Sequence, residues 1–186
     1  MSNCITICPI GVVEENFLAR ITKCIEKHHD LVCKISPGME KPNYAYDERR
    51  GQYNSKLILK HLIKCCPQDT LRFMAVTHVD LYVPILKFVF GLAQMEGQCA
   101  VISIHRLCPQ FYNLPPDPDL LMARVEKTVL HELGHSLGLT HCRDRRCVMY
   151  SSTRIEDTDF KRSDYCPTCF ELFRWRLDKC LTNAHT

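Results

Sequence analysis

The stretch that decides the fold is HELGHSLGLTHC, at residues 131–142. It belongs to an apolar pattern typical of a helix, which we expect to run from about residue 120 to residue 137. At about 100° per residue, the side chains of His131 and His135 lie within ~40° of each other, so both imidazoles can reach one metal ion. Apolar residues fall on nearly the opposite side, at Val125, Val129 and Leu133. One face of the helix is therefore predicted to pack on a sheet while the other holds a metal.

The residues around the histidine pair extend this metal-ligand pattern. Glu132 projects between the two faces, where it can hydrogen-bond a metal-bound water rather than serve as a ligand. Gly138 allows the left-handed conformation that ends a helix, so the chain turns back and His141 is expected as the third ligand. The alternative is a set of ordinary surface or core-edge histidines on an amphipathic helix. That alternative leaves Gly138 and His141 unexplained.

Four cysteines follow directly, with the spacing of a second metal site. They are arranged as C-x4-C and C-x2-C, at Cys142, Cys147, Cys166 and Cys169. Four thiolates can bind zinc tetrahedrally with no open position, so the expected site is structural. Because Cys142 adjoins His141, this closed site would restrict where the third histidine can point. Four buried free thiols, or a disulfide pair, are the alternatives.

Together, the two clusters resemble the signature region of the archaemetzincins. The resemblance is tight over HELGHSLGLTHCRDRRCVM at residues 131–149 and CPTC at residues 166–169, and loose upstream. It implies an α/β metzincin-like fold: a mixed β-sheet with backing helices, an active-site helix, and a small cysteine-rich C-terminal subdomain. It also implies a zinc metallopeptidase with one catalytic and one structural zinc, in which Met149 is the Met-turn residue beneath the catalytic metal. By the same comparison, residues 99–107 form the edge strand to which a peptide would add.

Upstream of this region, strand-like and helix-like stretches alternate. Two strands flanking an amphipathic helix predict a parallel βαβ unit, at residues 4–10, 14–28 and 31–35. A polar loop, a second helix and two further strands follow, at residues 44–54, 55–65, 71–82 and 99–107. Either Asp117 or Asp119 can cap the motif-bearing helix. We expect an N-terminal subdomain at residues 1–138 and a zinc-stabilised C-terminal subdomain at residues 139–186.

The amino-acid composition is that of a globular protein and excludes several other classes of protein. The 186 residues are 46% hydrophobic and 24% charged with seven glycines, which excludes disordered and fibrous proteins. A net charge of +3 is too small to indicate a nucleic-acid partner. The most apolar interior stretch, residues 81–93, is too short for a membrane span. The N-terminal residues have the pattern of a first strand rather than a signal peptide, which predicts a cytoplasmic protein.

Nine of the thirteen cysteines remain outside the four-cysteine pattern. In a reducing compartment we expect them to be small core residues rather than disulfides, because most fall at apolar-periodic positions. They are Cys4, Cys8, Cys24, Cys33, Cys65, Cys66, Cys99, Cys108 and Cys180.

These features predict a zinc-dependent peptidase that acts on peptides or small proteins. In this hypothesis Glu132 is the general base that activates a zinc-bound water, and zinc polarises the scissile carbonyl. Tyr150 is either an oxyanion donor or an ordinary surface tyrosine, and the second is favoured. A catalytically weak, zinc-stabilised peptide-binding protein of the same fold is the alternative, whereas a gluzincin is disfavoured by His141. The oligomeric state is not specified by the sequence.

Overall fold

The structure is a computed structural model that describes residues 4–29 and 31–183. A mixed α/β arrangement forms, as the sequence and its family resemblance predict. Eight strands lie at β1 (Cys4–Ile10), β2 (Val32–Ile35), β3 (Tyr46–Asp47), β4 (Gln52–Asn54), β5 (Arg72–Thr77), β6 (Leu81–Tyr82), β7 (Gly91–Ala93) and β8 (Cys99–Ser103). Five helices lie at α1 (Glu15–His29), α2 (Ser55–Cys65), α3 (Pro118–Ser136), α4 (Ile155–Phe160) and α5 (Pro167–Asn183).

The main sheet has five strands in the order β2-β1-β5-β8-β7. Four strands are parallel, and the predicted βαβ unit is confirmed because β1 pairs with β2 in parallel. β7 is antiparallel to β8, with Gly91 opposite Ile102 and Ala93 opposite Ala100. The short β7 is therefore the edge of the sheet on this side.

The prediction that residues 99–107 form the edge strand is wrong. β8 ends at Ser103, and it lies between β5 and β7. Every residue of β8 is buried, which is typical of an internal strand covered on both faces. Residues 105–107 form a 3-10 turn instead of continuing the strand.

Two other upstream predictions need correction. Residues 44–54, predicted as a loop, contain the β3–β4 hairpin, which turns through Gly51 at φ +64°. Residues 71–82 do not form one strand, because β5 ends at Thr77 and the following β6 pairs with β4 in the smaller sheet. Strands β3, β4 and β6 are only two or three residues long, too short to show an alternating pattern in the sequence.

Helices cover both faces of the main sheet. Ile58 and Leu62 of α2 pack on one face, and α1 and α3 pack on the other. The predicted apolar stripe of α3 is fully buried, at Val125, Val129 and Leu133. Asp117, one of the two predicted caps, accepts hydrogen bonds from the first-turn N–H groups of Asp119 and Leu120. This packing holds α3 beneath the sheet with its histidines beside the edge strand.

All thirteen cysteines lie in the described part of the chain, and each is a free thiol. Of the nine predicted to be core residues, Cys4, Cys8, Cys24 and Cys99 are buried, and Cys33, Cys66, Cys108 and Cys180 are partly buried. The prediction is wrong for Cys65, which is exposed. α2 buries only a narrow stripe of Ser55, Ile58 and Leu62, and Cys65 is exposed at the last residue of the helix, as are Leu57 and His61 beside the stripe.

The lengths and compositions of the described helices bear on membrane insertion. None of them combines the length and the apolar character that crossing a bilayer needs.

Candidate active site

Three histidine side chains meet at one end of α3. His131 and His135 lie one helical turn apart, and their Nε2 atoms are 3.1 Å from each other. α3 ends at Ser136, and Gly138 adopts the predicted left-handed conformation at φ +88°. The chain therefore turns back and brings the Nε2 atom of His141 to 3.2 Å from that of His135.

Backbone carbonyls orient two of these rings. Nδ1 of His131 lies 2.8 Å from the carbonyl oxygen of Val148, and Nδ1 of His135 lies 2.7 Å from that of Leu139. Since a carbonyl oxygen can only accept, each Nδ1 carries the proton and each Nε2 presents a lone pair. Outer contacts of this kind are typical of histidines that bind metal ions.

The electrostatics of the cluster favour neutral rings. Burial lowers the pKa of His131 well below its usual value, with Lys161 adding to the effect, and burial also lowers the pKa values of His135 and His141. Neutral imidazoles with lone pairs only 3.1–3.2 Å apart repel one another unless a cation lies between them. The donor set therefore fits a divalent cation, and three imidazoles suit zinc.

Glu132 lies beside this cluster. Its side chain is only 6% exposed and lines the same cleft as the three histidines. Burial raises the pKa of its carboxyl group to about 8, against a smaller lowering by Lys161. A carboxyl group with a raised pKa beside a metal-ligand cluster has the environment of a general acid–base group.

The cleft has a cavity volume of about 670 Å³. Its upper wall consists of β7 and the preceding residues 83–90, and its floor carries the three histidines and Glu132. The lower wall consists of Ser151, Ser152, Thr153, Thr158 and Lys161. Tyr150 is half-buried, and its side chain does not line the cleft among the described residues.

Met149 lies under the histidine-bearing helix in a tight turn. Its side chain is fully buried, its carbonyl oxygen accepts from Cys142 N–H at 3.0 Å, and Tyr150 N–H donates to Cys147 O at 2.9 Å. The Met149 side chain occupies the space that a Cβ at Gly134 would fill, with Cε only 3.1 Å from that position. The glycine in the last turn of α3 is thus explained by this close approach.

Replacing Gly134 by alanine should destabilise the protein. Alanine gains about 1 kcal/mol in helix propensity, but overpacking a filled core costs roughly 1–3 kcal/mol. We expect a net loss of about 1 kcal/mol and a melting temperature lower by about 2–4 °C in calorimetry. With Met149→Val in the same chain, Gly134→Ala should instead raise the melting temperature. A rise in the single variant would contradict the packing argument.

The four motif cysteines also come together. Their sulfur atoms lie within 4.8 Å of one another, and the Sγ atoms of Cys142 and Cys166 are 3.8 Å apart. Backbone N–H groups point at two of the sulfurs, from Cys166 to Cys147 at 3.3 Å and from Asp144 to Cys142 at 3.4 Å. These contacts favour thiolates. The cluster thus fits a closed four-sulfur zinc site.

Two features of the structure were not predicted from the sequence. One is a group formed by Cys24, His28 and Glu126, whose Cys-x3-His spacing on α1 is the signal that was available. His28 Nε2 already pairs with Glu126 Oε1 at 2.8 Å, so packing of α1 on α3 accounts for this contact. The other is Lys161, a buried lysine in the cleft wall whose pKa burial lowers to about 8.

The chain is similar to known proteins over most of its length. The model of peptidase family M54 matches residues 14–175. Archaemetzincin of Methanocaldococcus jannaschii is 44% identical over 167 residues, which cover 90% of each protein. The crystal structure of archaemetzincin from Methanopyrus kandleri has a TM-score of 0.81 at 34% identity, over 95% of this chain and 97% of that one. That of archaemetzincin from Archaeoglobus fulgidus, complexed with malonate, has a TM-score of 0.79 at 31% identity, over 91% and 99%.

These matches confirm the resemblance to the archaemetzincins that the motif indicated, and zinc metallopeptidase as the class of enzyme. Over most of its length, the chain belongs to peptidase family M54.

Proposed function

We propose that the chain hydrolyses peptide bonds, with His131, His135 and His141 holding a catalytic zinc and Glu132 acting as the general base. The observation that carries the proposal is the convergence of three Nε2 atoms at 3.1–3.2 Å in a cleft that also contains the Glu132 carboxylate. A zinc ion bound there supplies Lewis-acid activation of water and of the scissile carbonyl.

Glu132 performs the proton transfers in this proposal. Its carboxylate takes the proton of the attacking water and then gives it to the departing amine nitrogen. Because the group is 6% exposed, no bulk solvent competes for this proton. The Val148 and Leu139 carbonyls keep the His131 and His135 rings in the tautomer whose Nε2 atoms face the ion.

The edge strand β7 provides a surface for the peptide. Phe90 O accepts from Ser103 N–H, and Gln94 N–H donates to Cys99 O, so these groups face β8. By alternation, the N–H and C=O groups of Gly91 and Ala93 face away from β8 and into the cleft. An extended substrate can therefore pair with β7, which takes the role first predicted for residues 99–107.

Cys142, Cys147, Cys166 and Cys169 hold a second, structural zinc in this proposal. Residues 139–186 then form the lower subdomain, whose described helices α4 and α5 are linked to the motif by this ion. A segment of this size has a small core, so the ion would supply much of its folding energy.

The direct test is digestion of a diverse peptide library by the zinc-loaded protein, followed by mass spectrometry of the products. We expect new amino termini that appear with time and disappear when a hydroxamate is added. Peptides that bind without being cleaved would instead support the alternative of a zinc-stabilised peptide-binding protein.

Replacing Gly91 by alanine should slow catalysis through Glu132. A Cβ at Gly91 would lie 2.7 Å from Glu132 Cγ and Oε1, so the carboxylate has to move. Displacement of a catalytic group by about 1 Å can cost ~10²-fold in rate. We therefore expect kcat to fall about 10- to 100-fold while zinc content is unchanged.

A double-variant cycle makes this prediction specific. If Gly91→Ala acts through Glu132, it should cause no further loss of kcat in a Glu132→Gln background. If kcat fell by the same factor in the Glu132→Gln background, the alanine would be acting by blocking peptide binding and not by displacing the Glu132 carboxylate.

A further inference from the structure

A buried lysine lies in the lower wall of the cleft. Lys161 is 3% exposed, and its Nζ donates to the carbonyl oxygen of Tyr150 at 3.1 Å. Nζ also lies 3.4 Å from His131 Nδ1, but that nitrogen carries the proton that faces Val148 O and cannot accept. Among residues 4–29 and 31–183, no carboxylate lies within 4.0 Å of this ammonium group.

Two hydroxyl groups in the same wall also lack partners. Thr158 Oγ1 and Ser152 Oγ are buried, and neither has a hydrogen-bond partner among the described residues. A buried polar group without a partner is destabilising, so both hydroxyl groups favour a ligand that can pair with them. One segment, residues 152–161, thus brings to the cleft wall two hydroxyl groups without partners and an ammonium group that donates only to Tyr150 O.

The charge of the cleft decides what these donors can bind. Glu132 is the only acidic residue among the described residues that line it, and Lys87 and Lys161 are basic. The facing wall is mostly apolar, with Val83, Phe88 and Phe90, and its one charged side chain among the described residues that line the cleft is Lys87. A carboxylate offers about four lone-pair sites and can accept from an ammonium and two hydroxyl groups together.

We propose that Lys161, Ser152 and Thr158 form a recess that binds a substrate carboxylate next to the scissile bond. The recess adjoins the reacting centre because its three residues line the same cleft as the histidines and Glu132, and Lys161 Nζ lies 3.4 Å from His131 Nδ1. This inference rests on the proposed peptidase function and specifies its substrate class. The carboxylate comes from an acidic side chain or from the carboxyl terminus of a short peptide.

Matched peptides test the recess and separate the two sources. One pair of peptides carries glutamate or glutamine next to the scissile bond, and a second pair ends in a free carboxylate or an amide. Charge-assisted hydrogen bonds of this kind are worth about 10- to 100-fold. We expect a preference of that size for the acidic member of one pair, mostly in KM, and the pair that shows it identifies the source.

Variants of Lys161 and Thr158 test whether these residues cause the preference for the acidic peptide. In Lys161→Met the ratio of kcat/KM between acid and amide should fall to about 1, and Lys161→Arg should retain part of it. Thr158→Val keeps the shape of the side chain and removes its hydroxyl group. It should therefore lower the acid-to-amide ratio of kcat/KM without abolishing the preference. A wild-type preference that survives intact in Lys161→Met would overturn the assignment, as would equal cleavage of acid and amide by the wild type.

A binding experiment separates this proposal from the catalytic one. Calorimetry with the zinc-loaded Glu132→Gln variant measures the affinity for the same uncleaved peptides. Tighter binding of the acidic peptide, together with no cleavage by the wild type, would uphold the recess and reject the peptidase function. Equal binding of both peptides would reject the recess whatever the activity.

Discussion

Glu132→Gln should lower kcat by about 10²- to 10⁴-fold while the protein keeps its zinc, because a positioned general base contributes a factor of that size. Glutamine has the same shape as glutamate, and it fits the tight space beside Gly91 without leaving a cavity. The amide cannot take a proton from water. Metal content should stay at the wild-type value, since the ligand atoms belong to the three histidines.

The measurement is kcat on a cleaved library peptide, with metal content by mass spectrometry on the same sample. Glu126→Gln is a matched control, because Glu126 lies on the same helix but pairs with His28 away from the cleft. It should keep kcat within about 2-fold of wild type, because Glu126 does not line the cleft and glutamine can still hydrogen-bond His28. Wild-type kcat in Glu132→Gln would remove Glu132 from the mechanism.

Cys147→Ser should remove one of two zinc ions and unfold the C-terminal part of the chain. Cys147 is 1% exposed, and its sulfur is one of four within 4.8 Å of one another. Structural zinc in small domains supplies an apparent ~10–16 kcal/mol at neutral pH. Losing even a third of this would lower the melting temperature by about 10 °C or more.

Elemental analysis and calorimetry test this prediction together. The wild type should hold two zinc ions per chain and Cys147→Ser one. Cys65→Ser is the control, because that cysteine is exposed and lies outside the cluster, so both its zinc content and its melting temperature should match wild type. Two ions retained by Cys147→Ser would rule out the four-sulfur site.

The motif region could be predicted because its geometry is local. The spacing of His131 and His135 on one helix, and the turn at Gly138, depend only on the helical period and on one left-handed residue. The four cysteines are also recognisable from spacing, since metal-ligand patterns repeat at short intervals.

The walls of the cleft could not be predicted in the same way. Which strand forms the edge depends on the order of strands in the sheet, and β7 is only three residues long. Lys161 comes thirty residues after His131 and reaches it only because α4 folds back beneath α3. Such contacts arise from tertiary packing and leave no period in the sequence.

Residues of the histidine cluster and of the cysteine cluster are neighbours in one short segment of the chain. Cys142 is bonded to His141, and Val148, whose carbonyl orients His131, lies between Cys147 and Met149. In the proposed two-zinc arrangement, sulfur ligands therefore hold both ends of the loop that positions His131 and His141. The consequence concerns how the protein matures: when zinc is scarce, the cysteine site should fill first, and the histidine site should then bind its ion more tightly because its ligands are already positioned.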